Sequence, residues 1–301
     1  MHKALHLLTA AALAGVVGLA CSEGVAPSTD KAQVLAAERE QLGGMLDSAF
    51  GTEGAAPTAA PLLAAAVAAP DTAPSFWGRI RVVPGGPLPV FHRDVTIVGD
   101  TATVEHDITF TGVFLVDTSA DGIFNPTAKP LHDRMTQHAV LVRDRTLRYG
   151  WRVVELSPQD WTVVDPAKQT VAVQEVKVSR NDTLLIDVTD PAALYDVVKR
   201  IPRFHVGDTI QVWARVANTT NSGFTPATFV FLHVHHWDPI VTSWRRVEMQ
   251  DNGDGTYQRT WIARRTGRDR FVVDALDAAT LLLGSGDNYR TNEVGIPYRI
   301  E

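Results

Sequence analysis

The sequence predicts a mainly β protein of two domains, an N-terminal α+β domain with a curved antiparallel sheet and a C-terminal β-sandwich. Apolar and polar residues alternate in 95–98 and 101–104 on either side of a Gly99-Asp100 turn, which is typical of a β-hairpin. After residue 166, short apolar runs follow one another at even spacing with turn residues between them, which favours a sandwich. The length of 301 residues suits two domains.

The chain begins with the features of an export signal. Met1 to Lys3 is a short basic start, residues 4–19 are an uncharged apolar run, and small residues precede Cys21, the only cysteine. This segment resembles the signal peptide and lipobox of bacterial lipoproteins, with Gly18 where that motif usually has Leu. The resemblance implies cleavage after residue 20 and a covalent lipid at Cys21. An ordinary signal peptide with an incidental cysteine near the cut is the alternative.

Residues 21–75 are expected to form a tether, a helix and a linker. Asp30 is placed to cap the helix, with Gln33 as its capping-box partner, and Gly43-Gly44 weakens its middle. The Ala- and Pro-rich stretch that follows is typical of a linker, in which residues 60–69 are a candidate second helix. The apolar residues that recur at helical spacing are Val34, Leu35, Leu42, Met45, Leu46 and Phe50.

Residues 76–165 are predicted to be the antiparallel α+β domain, with or without the preceding helix. The second arm of the hairpin continues through alternating apolar residues to Leu115, and a loop is expected over 117–130. Strands are predicted at 135–142 and 151–156.

This order of elements, together with the run GWRVVELSP at 150–158, resembles a nuclear transport factor 2-like domain, the cone-shaped cystatin-type fold. The resemblance implies a pocket inside the cone, which usually carries an acidic residue or a histidine. The first candidates for such a pocket are His106, Asp107, His138 and Trp151.

Residues 166–301 are predicted to be the sandwich. A hairpin is expected at 170–178 and 183–188, and a helical turn at 194–200. In the strand at 209–217, alternate apolar residues are expected to share one face. The further predicted strands are 228–237, 244–249, 257–263, 270–276 and 289–300.

One turn in this half is more specific. The run DNGDGTY at 251–257 resembles the hairpin of filamin-type and bacterial immunoglobulin-like repeats, with Gly267 at the place of a later glycine in that pattern. Its two glycines permit positive φ, and Asp251 and Asp254 are suited to cap the turn. The resemblance implies an immunoglobulin-like sandwich, with Tyr257 and Trp261 on one face.

The densest group of histidines lies in the predicted strand 228–237. His233 and His235 are expected on the same face, within reach of one metal ion, with Asp238 or His205 as guesses for a third ligand. The alternative is a pair of imidazoles on a half-exposed sheet face or at a domain contact.

Other catalytic and ligand-binding patterns are weak or absent from the sequence. Residues 117–122 match the first half of a calcium loop, but Ala128 stands where a bidentate Glu is needed, so a polar hairpin loop is favoured. The chain has no Gly-X-Ser-X-Gly, no glycine-rich phosphate loop and no HExxH motif.

The net charge of the chain and the predicted lipid anchor limit the functions that can be expected. The net charge is −6 and becomes −7 when Lys3 leaves with the signal, so nucleic acid is an unsuitable partner. We expect a non-catalytic envelope lipoprotein without a cofactor, held at the membrane and presenting two domains to a protein or glycan partner. By the sorting rule of enteric bacteria, Ser22 favours the outer membrane. The alternatives are a small-ligand binder or enzyme that uses the cone of the first domain, and a metal-binding protein.

Overall fold

The architecture was analysed in a computed structural model. It describes residues 29–46, 74, 76–83, 85–119, 125–237, 242–284, 286 and 288–301, without the side chains of 235–237 and 242–245. The predicted signal, Cys21 and the candidate helix at 60–69 lie outside these residues. Neither α-helix of the described part of the chain has the length and apolar composition that a membrane span requires.

The protein is mainly β, as predicted. Two α-helices, α1 (Asp30–Leu42) and α2 (Ala278–Leu282), accompany 3-10 turns at Gly43–Met45 and Pro166–Lys168. The strands are β1 (Phe76–Ile80), β2 (Val90–Val98), β3 (Thr101–Asp117), β4 (Thr127–Arg143), β5 (Trp151–Leu156), β6 (Gln159–Val163), β7 (Val171–Arg180), β8 (Thr183–Val188), β9 (Tyr195–Asp196), β10 (Arg203–Phe204), β11 (Thr209–Asn218), β12 (Thr228–Trp237), β13 (Thr242–Glu248), β14 (Gln250–Asp251), β15 (Thr256–Ile262), β16 (Gly267–Asp277) and β17 (Thr291–Ile300).

The larger sheet runs through both predicted domains. Its strands follow the order β1-β3-β4-β6-β17-β16-β12-β13, with β2, β5, β9 and β10 paired beside this path. The antiparallel pairing of β6 with β17 joins the two halves, because β6 precedes residue 165 and β17 follows it. The expected boundary at 165/166 is therefore crossed by backbone hydrogen bonds within one sheet.

The smaller sheet, in the order β14-β15-β11-β7-β8, packs on one face of β12, β16 and β17. The alternation predicted for β11 is confirmed, since Ile210, Val212 and Ala214 are all fully buried in this shared core. Tyr257 and Trp261 face the same core, also as expected.

The larger sheet curls until the two ends of its strand path meet. The Arg246 guanidinium on β13 donates to the backbone oxygen of Trp77 on β1 over 2.8 Å, and its carbon lies 3.5 Å from the centre of the indole. A glycine at 112 permits β1 to lie this close to β3, because a Cβ there would stand 2.0 Å from the Ile80 oxygen.

The structure corrects four local predictions. Thr29, rather than Asp30, caps α1 by accepting from the amide of residue 32, and α1 ends at Gly43, whose φ is 52°, instead of continuing past it. The segment 194–200 contains the short strand β9 and a turn, not a helical turn. The loop expected over 117–130 ends sooner, because β4 begins at Thr127.

Candidate functional site

Helix α1 lies against one face of β2 to β5. Alternate residues of β3 and β4 are buried on that face, among them Ala102, Val104 and Leu141, and α1 packs Val34 and Leu42 against them. This apolar contact fixes the helix on the sheet.

A cavity of about 370 Å³ remains beside this contact, in the size range of small-ligand sites. We call it the α1 pocket. Its lining is apolar at Leu35, Leu46, Ile108 and Met135, charged or polar at Glu38, Arg39, Arg93 and His106, and backbone at Gly43 and Gly44.

Two buried polar side chains meet in the wall of the α1 pocket. The Nε2 atom of His106 lies 2.8 Å from Oε1 of Glu38, and the two residues are only 6% and 2% exposed. A buried carboxylate requires such a partner. When Glu38 is ionised it accepts this bond from the imidazole N–H on Nε2. Within the described residues, Nδ1 has no hydrogen-bond partner.

Side chains from both halves of the chain hold the 3-10 turn that closes one side of the pocket. The Nε2 atoms of Gln137 and Gln159 both face the Met45 oxygen at 3.4 Å, and Gln159 donates to Gln137 over 3.2 Å. Arg270 on β16 donates to the Gly44 oxygen over 2.8 Å. The pocket therefore depends on the continuous sheet and not on residues before 165 alone.

Two arginines line the outer part of the pocket. Arg39 follows Glu38 on α1, and Arg93 stands directly opposite His106 in the β2–β3 register. Both are exposed, and in the described part of the chain neither guanidinium makes an ion pair or a hydrogen bond. Among the described residues, no Ser, Thr, Cys, Lys or Tyr side chain lines the pocket. The charged and apolar side chains that do line it are suited to hold a ligand, and the His106–Glu38 pair is suited to exchange a proton.

The four residues first considered for a pocket do not come together. His106 lines the α1 pocket, and Trp151 is fully buried beneath α1 with the Arg143 carbon 4.4 Å from its ring centre. Asp107 and His138 point to the opposite face of the sheet. His138 there lines a second cavity of about 370 Å³ together with Glu105.

A second polar cluster is fully buried between β1 and the strands β4, β16 and β17. We call Arg79, Arg81, Asp133, Asp274 and Glu293 the buried ion cluster. Arg79 donates to both Asp274 oxygens, over 2.6 Å and 2.8 Å. Arg81 donates to Asp133 over 2.9 Å and also contacts Glu293. Each of the five residues is at most 1% exposed.

Arg79 and His233 hold the Asp274 carboxylate in its ionised state. Burial by itself would raise the pKa of Asp274, but the Arg79 guanidinium and a hydrogen bond from His233 lower it well below its usual range. The cluster ties β1 to the strands of the second half of the chain.

His233, one of the two predicted metal ligands, contacts this cluster. Its Nε2 lies 2.9 Å from Asp274 Oδ2, and the residue is 1% exposed. The alternative prediction, that this imidazole lies on a half-exposed sheet face, is therefore wrong for His233. His235 pairs through its backbone with Trp244, and its side chain lies outside the described residues, as does Asp238. His205 is exposed beside Asp208.

Among the described residues, no group of three His, Cys, Asp or Glu side chains is arranged to hold a metal ion. Metal binding by His233 and His235 stays a prediction.

The acidic turn residues serve the backbone. Asp117 accepts from Ser119 N and Oγ over 3.0 Å and 2.7 Å and from Asn125 N over 3.1 Å, and these hydrogen bonds lower its pKa. The remaining predicted calcium-loop positions at 120–124 lie outside the described residues. Asp251 and Asp254 accept from backbone amides of their own turn, as expected.

The sequence predicts His106 as a pocket residue, but it does not predict the three other charged residues of the α1 pocket. Glu38 left a signal, because it lies four residues after Val34 and four before Leu42, inside the apolar stripe of α1. Arg39 and Arg93 left none, since exposed arginines are ordinary on a helix end and an edge strand.

Comparisons with protein-family models, with curated proteins and with solved structures found no match for this chain. The assignment of a function therefore rests on the geometry of the α1 pocket and on the sequence.

Proposed function

We propose that the protein is a lipid-anchored protein of the bacterial envelope that binds a small ligand in the α1 pocket. The observation that carries the binding function is the buried His106–Glu38 pair in the wall of an open cavity. A buried ionisable pair is costly to maintain, and this one borders a cavity that a small ligand can enter.

The anchor is proposed from the sequence alone. The apolar run before Cys21 and the small residues next to it support acylation, and Ser22 supports the outer membrane. Mass spectrometry of the mature protein from native envelopes should find acyl groups on Cys21. The Cys21→Ser variant should accumulate as an unprocessed precursor, and normal cleavage and membrane retention of that variant would contradict the anchor.

The finer architecture is also a proposal. The packing of the smaller sheet against β12, β16 and β17 supports an immunoglobulin-like sandwich at 166–301. The packing of α1 on β2 to β5 supports a cone-type α+β unit at 76–165 that includes the helix. In this arrangement β6 and β17 make a shared sheet between the two units.

A binding role without catalysis agrees best with the lining of the pocket. Among the described lining residues, none offers a hydroxyl, thiol or amine as a nucleophile. We propose a binding role without catalysis and without a cofactor.

The binding function is tested with the fluorescent dye 8-anilinonaphthalene-1-sulfonate and a variant that fills the pocket. We expect one dye molecule to bind per chain, and Leu35→Trp to weaken binding at least tenfold because Leu35 lines the cavity. Lys31→Trp, exposed on the same helix and outside the lining, is the matched control. Failure of the folded protein to bind the dye, or equal binding by both variants, would contradict the proposal.

A protein or glycan partner is the second candidate. Next to and within the edge strand β2, Leu88, Val90 and Phe91 are 80%, 51% and 51% exposed, which favours a protein contact there. Crosslinking of the acylated protein in native envelopes, with Phe91→Ser as the variant, tests this candidate: specific crosslinks lost in Phe91→Ser would support it.

A further inference from the structure

We propose that the α1 pocket selects a small amphipathic monocarboxylic acid, whose carboxylate binds between Arg39 and Arg93 and whose apolar body lies on Ile108 and Met135. The inference rests on the proposed ligand-binding function and gives the chemical class of the ligand.

The charge of the lining favours an anion. Arg39 and Arg93 contribute two positive charges and Glu38 one negative charge, so the formal charge is +1 when His106 is neutral. Each guanidinium presents a planar fork of donors that matches a carboxylate. Both forks lack protein acceptors in the described part of the chain, which leaves them available to a ligand.

The two cations come from different walls of the pocket. Arg39 belongs to α1 and Arg93 to β2, where it is the cross-strand neighbour of His106. A head group between them contacts the helix and the sheet at once, which a single surface arginine cannot achieve.

The inner part of the pocket is suited to an apolar body. Ile108 and Met135 are 1% exposed and pack with Trp161, whose ring stacks on Phe110 at 5.4 Å between centres. Leu35 and Leu46 add apolar surface on the helix side. Each methylene group buried there is expected to raise the affinity roughly fourfold.

Glu38 excludes a second negative charge from the inner end. Its carboxylate is 2% exposed and already bonded to His106, so an anionic group placed beside it would meet a buried like charge. The pocket should therefore discriminate against dicarboxylates of the same chain length.

The test compares four eight-carbon probes by calorimetry on the mature chain from residue 21: octanoate, octan-1-ol, octylamine and octanedioate. We expect octanoate to bind at one site and at least tenfold more tightly than each of the others, and more weakly at high salt. The double variant Arg39→Gln/Arg93→Gln should lose at least tenfold in octanoate affinity and leave octan-1-ol unchanged. Arg145→Gln/Arg148→Gln removes the same charge from an exposed loop outside the lining and should change neither.

The outcomes separate the ligand class from the binding function. Equal binding of octan-1-ol and octanoate, or an unchanged octanoate affinity in Arg39→Gln/Arg93→Gln, would overturn the carboxylate assignment and leave the pocket as a binding site. Dye binding that Leu35→Trp blocks, without any binding of octanoate, would overturn the assignment in the same way. Absence of both dye and octanoate binding would overturn both proposals.

Discussion

Strands β16 and β17 are buried on both faces, and only one of the two faces carries buried charges. On one face Val273, Ala275 and Ile296 lie in the apolar core shared with the smaller sheet. On the other face Asp274 contacts Arg79 of β1, and Glu293 contacts Arg81, the residue that follows β1. All five residues of β16 and β17 are 0% exposed, so burial does not distinguish the two faces.

The contrast separates two ways of holding a sheet together. The apolar face stabilises the fold in proportion to the apolar area that it removes from water, and it tolerates substitutions that change the shape of a side chain slightly. The charged face gains little net free energy from its pairs, but a missing partner leaves a charge buried and uncompensated. We infer that the apolar face supplies most of the stability and that the buried ion cluster fixes where β1 docks.

The largest expected effect is on the charged face. Asp274→Asn keeps the size of the side chain and removes the charge opposite Arg79, so we expect the free energy of unfolding to fall by about 3–5 kcal/mol. Urea denaturation followed by circular dichroism measures this value. A loss below about 1 kcal/mol would show that the cluster does not depend on this charge.

The next prediction concerns Lys129, a buried cation whose hydrogen-bond partners are backbone carbonyls and not a carboxylate. Its Nζ donates to the Thr280 oxygen over 2.6 Å, and burial lowers its pKa from 10.5 to about 8, with Asp277 opposing part of the shift. Between these two values the unfolded chain binds more protons than the folded chain. The free energy of unfolding should therefore rise with pH in that window, by at most about 1.4 kcal/mol per unit.

The Lys129→Met variant should lack this rise, and the measurement is the difference between the two proteins in urea titrations at pH 7, 8, 9 and 10. Buried tyrosines also contribute to the pH dependence. Burial raises the pKa of Tyr257 to about 12, which lowers the free energy of unfolding above the ordinary tyrosine pKa. Both proteins contain these tyrosines, so the difference between the two proteins isolates Lys129. Parallel curves for the two proteins would contradict the shifted lysine.

A smaller effect is expected on the apolar face. Ile296→Val removes one buried methylene group and should lower the free energy of unfolding by about 1 kcal/mol. The same urea experiment measures it. If Ile296→Val lowered the free energy of unfolding more than Asp274→Asn does, the inferred difference between the two faces would be wrong.

The smallest effect on the free energy of unfolding is expected at the exposed ion pair of Asp107 and Arg134. Asp107 accepts two hydrogen bonds from Arg134, over 2.9 Å from Nε and 2.7 Å from Nη2, and is thus held by an arginine in a bidentate pair, as Asp274 is by the two Nη atoms of Arg79. The hydrogen bond from Arg134 lowers the pKa of Asp107, but water screens the pair. Asp107→Asn should therefore change the free energy of unfolding by less than about 1 kcal/mol. An effect as large as that of Asp274→Asn would show that burial is not the cause of the difference.

Local signals in the sequence predicted the local elements. The strands at 151–156 and 228–237 have the predicted bounds, and the Gly99, Gly253 and Gly255 turns have positive φ, because each depends on residues adjacent in the chain. The apolar spacing predicts a helix that continues through Gly43-Gly44 toward Phe50, but α1 ends at Leu42 because Gly43 caps it.

Non-local pairing left no such signal. Nothing in the segment 159–163 indicates that it pairs with 291–300, and Arg79 and Arg81 look like ordinary polar residues of a short strand. The alternation of β3 places His106 on the buried face, but its partner Glu38 is 68 positions away in sequence. The sequence therefore predicts one residue of the site, His106, but not the group of residues that meets around it.

The central place of β17 in the larger sheet constrains the order of assembly. After β6 has been synthesised, its edge stays open until all of β7 to β16 has followed and residues 291–300 are available to pair with it. An open edge is a template for pairing with other chains. Until residues 291–300 have been made, the unpaired edge of β6 is therefore the place in the nascent chain where a strand of another molecule could pair in place of β17.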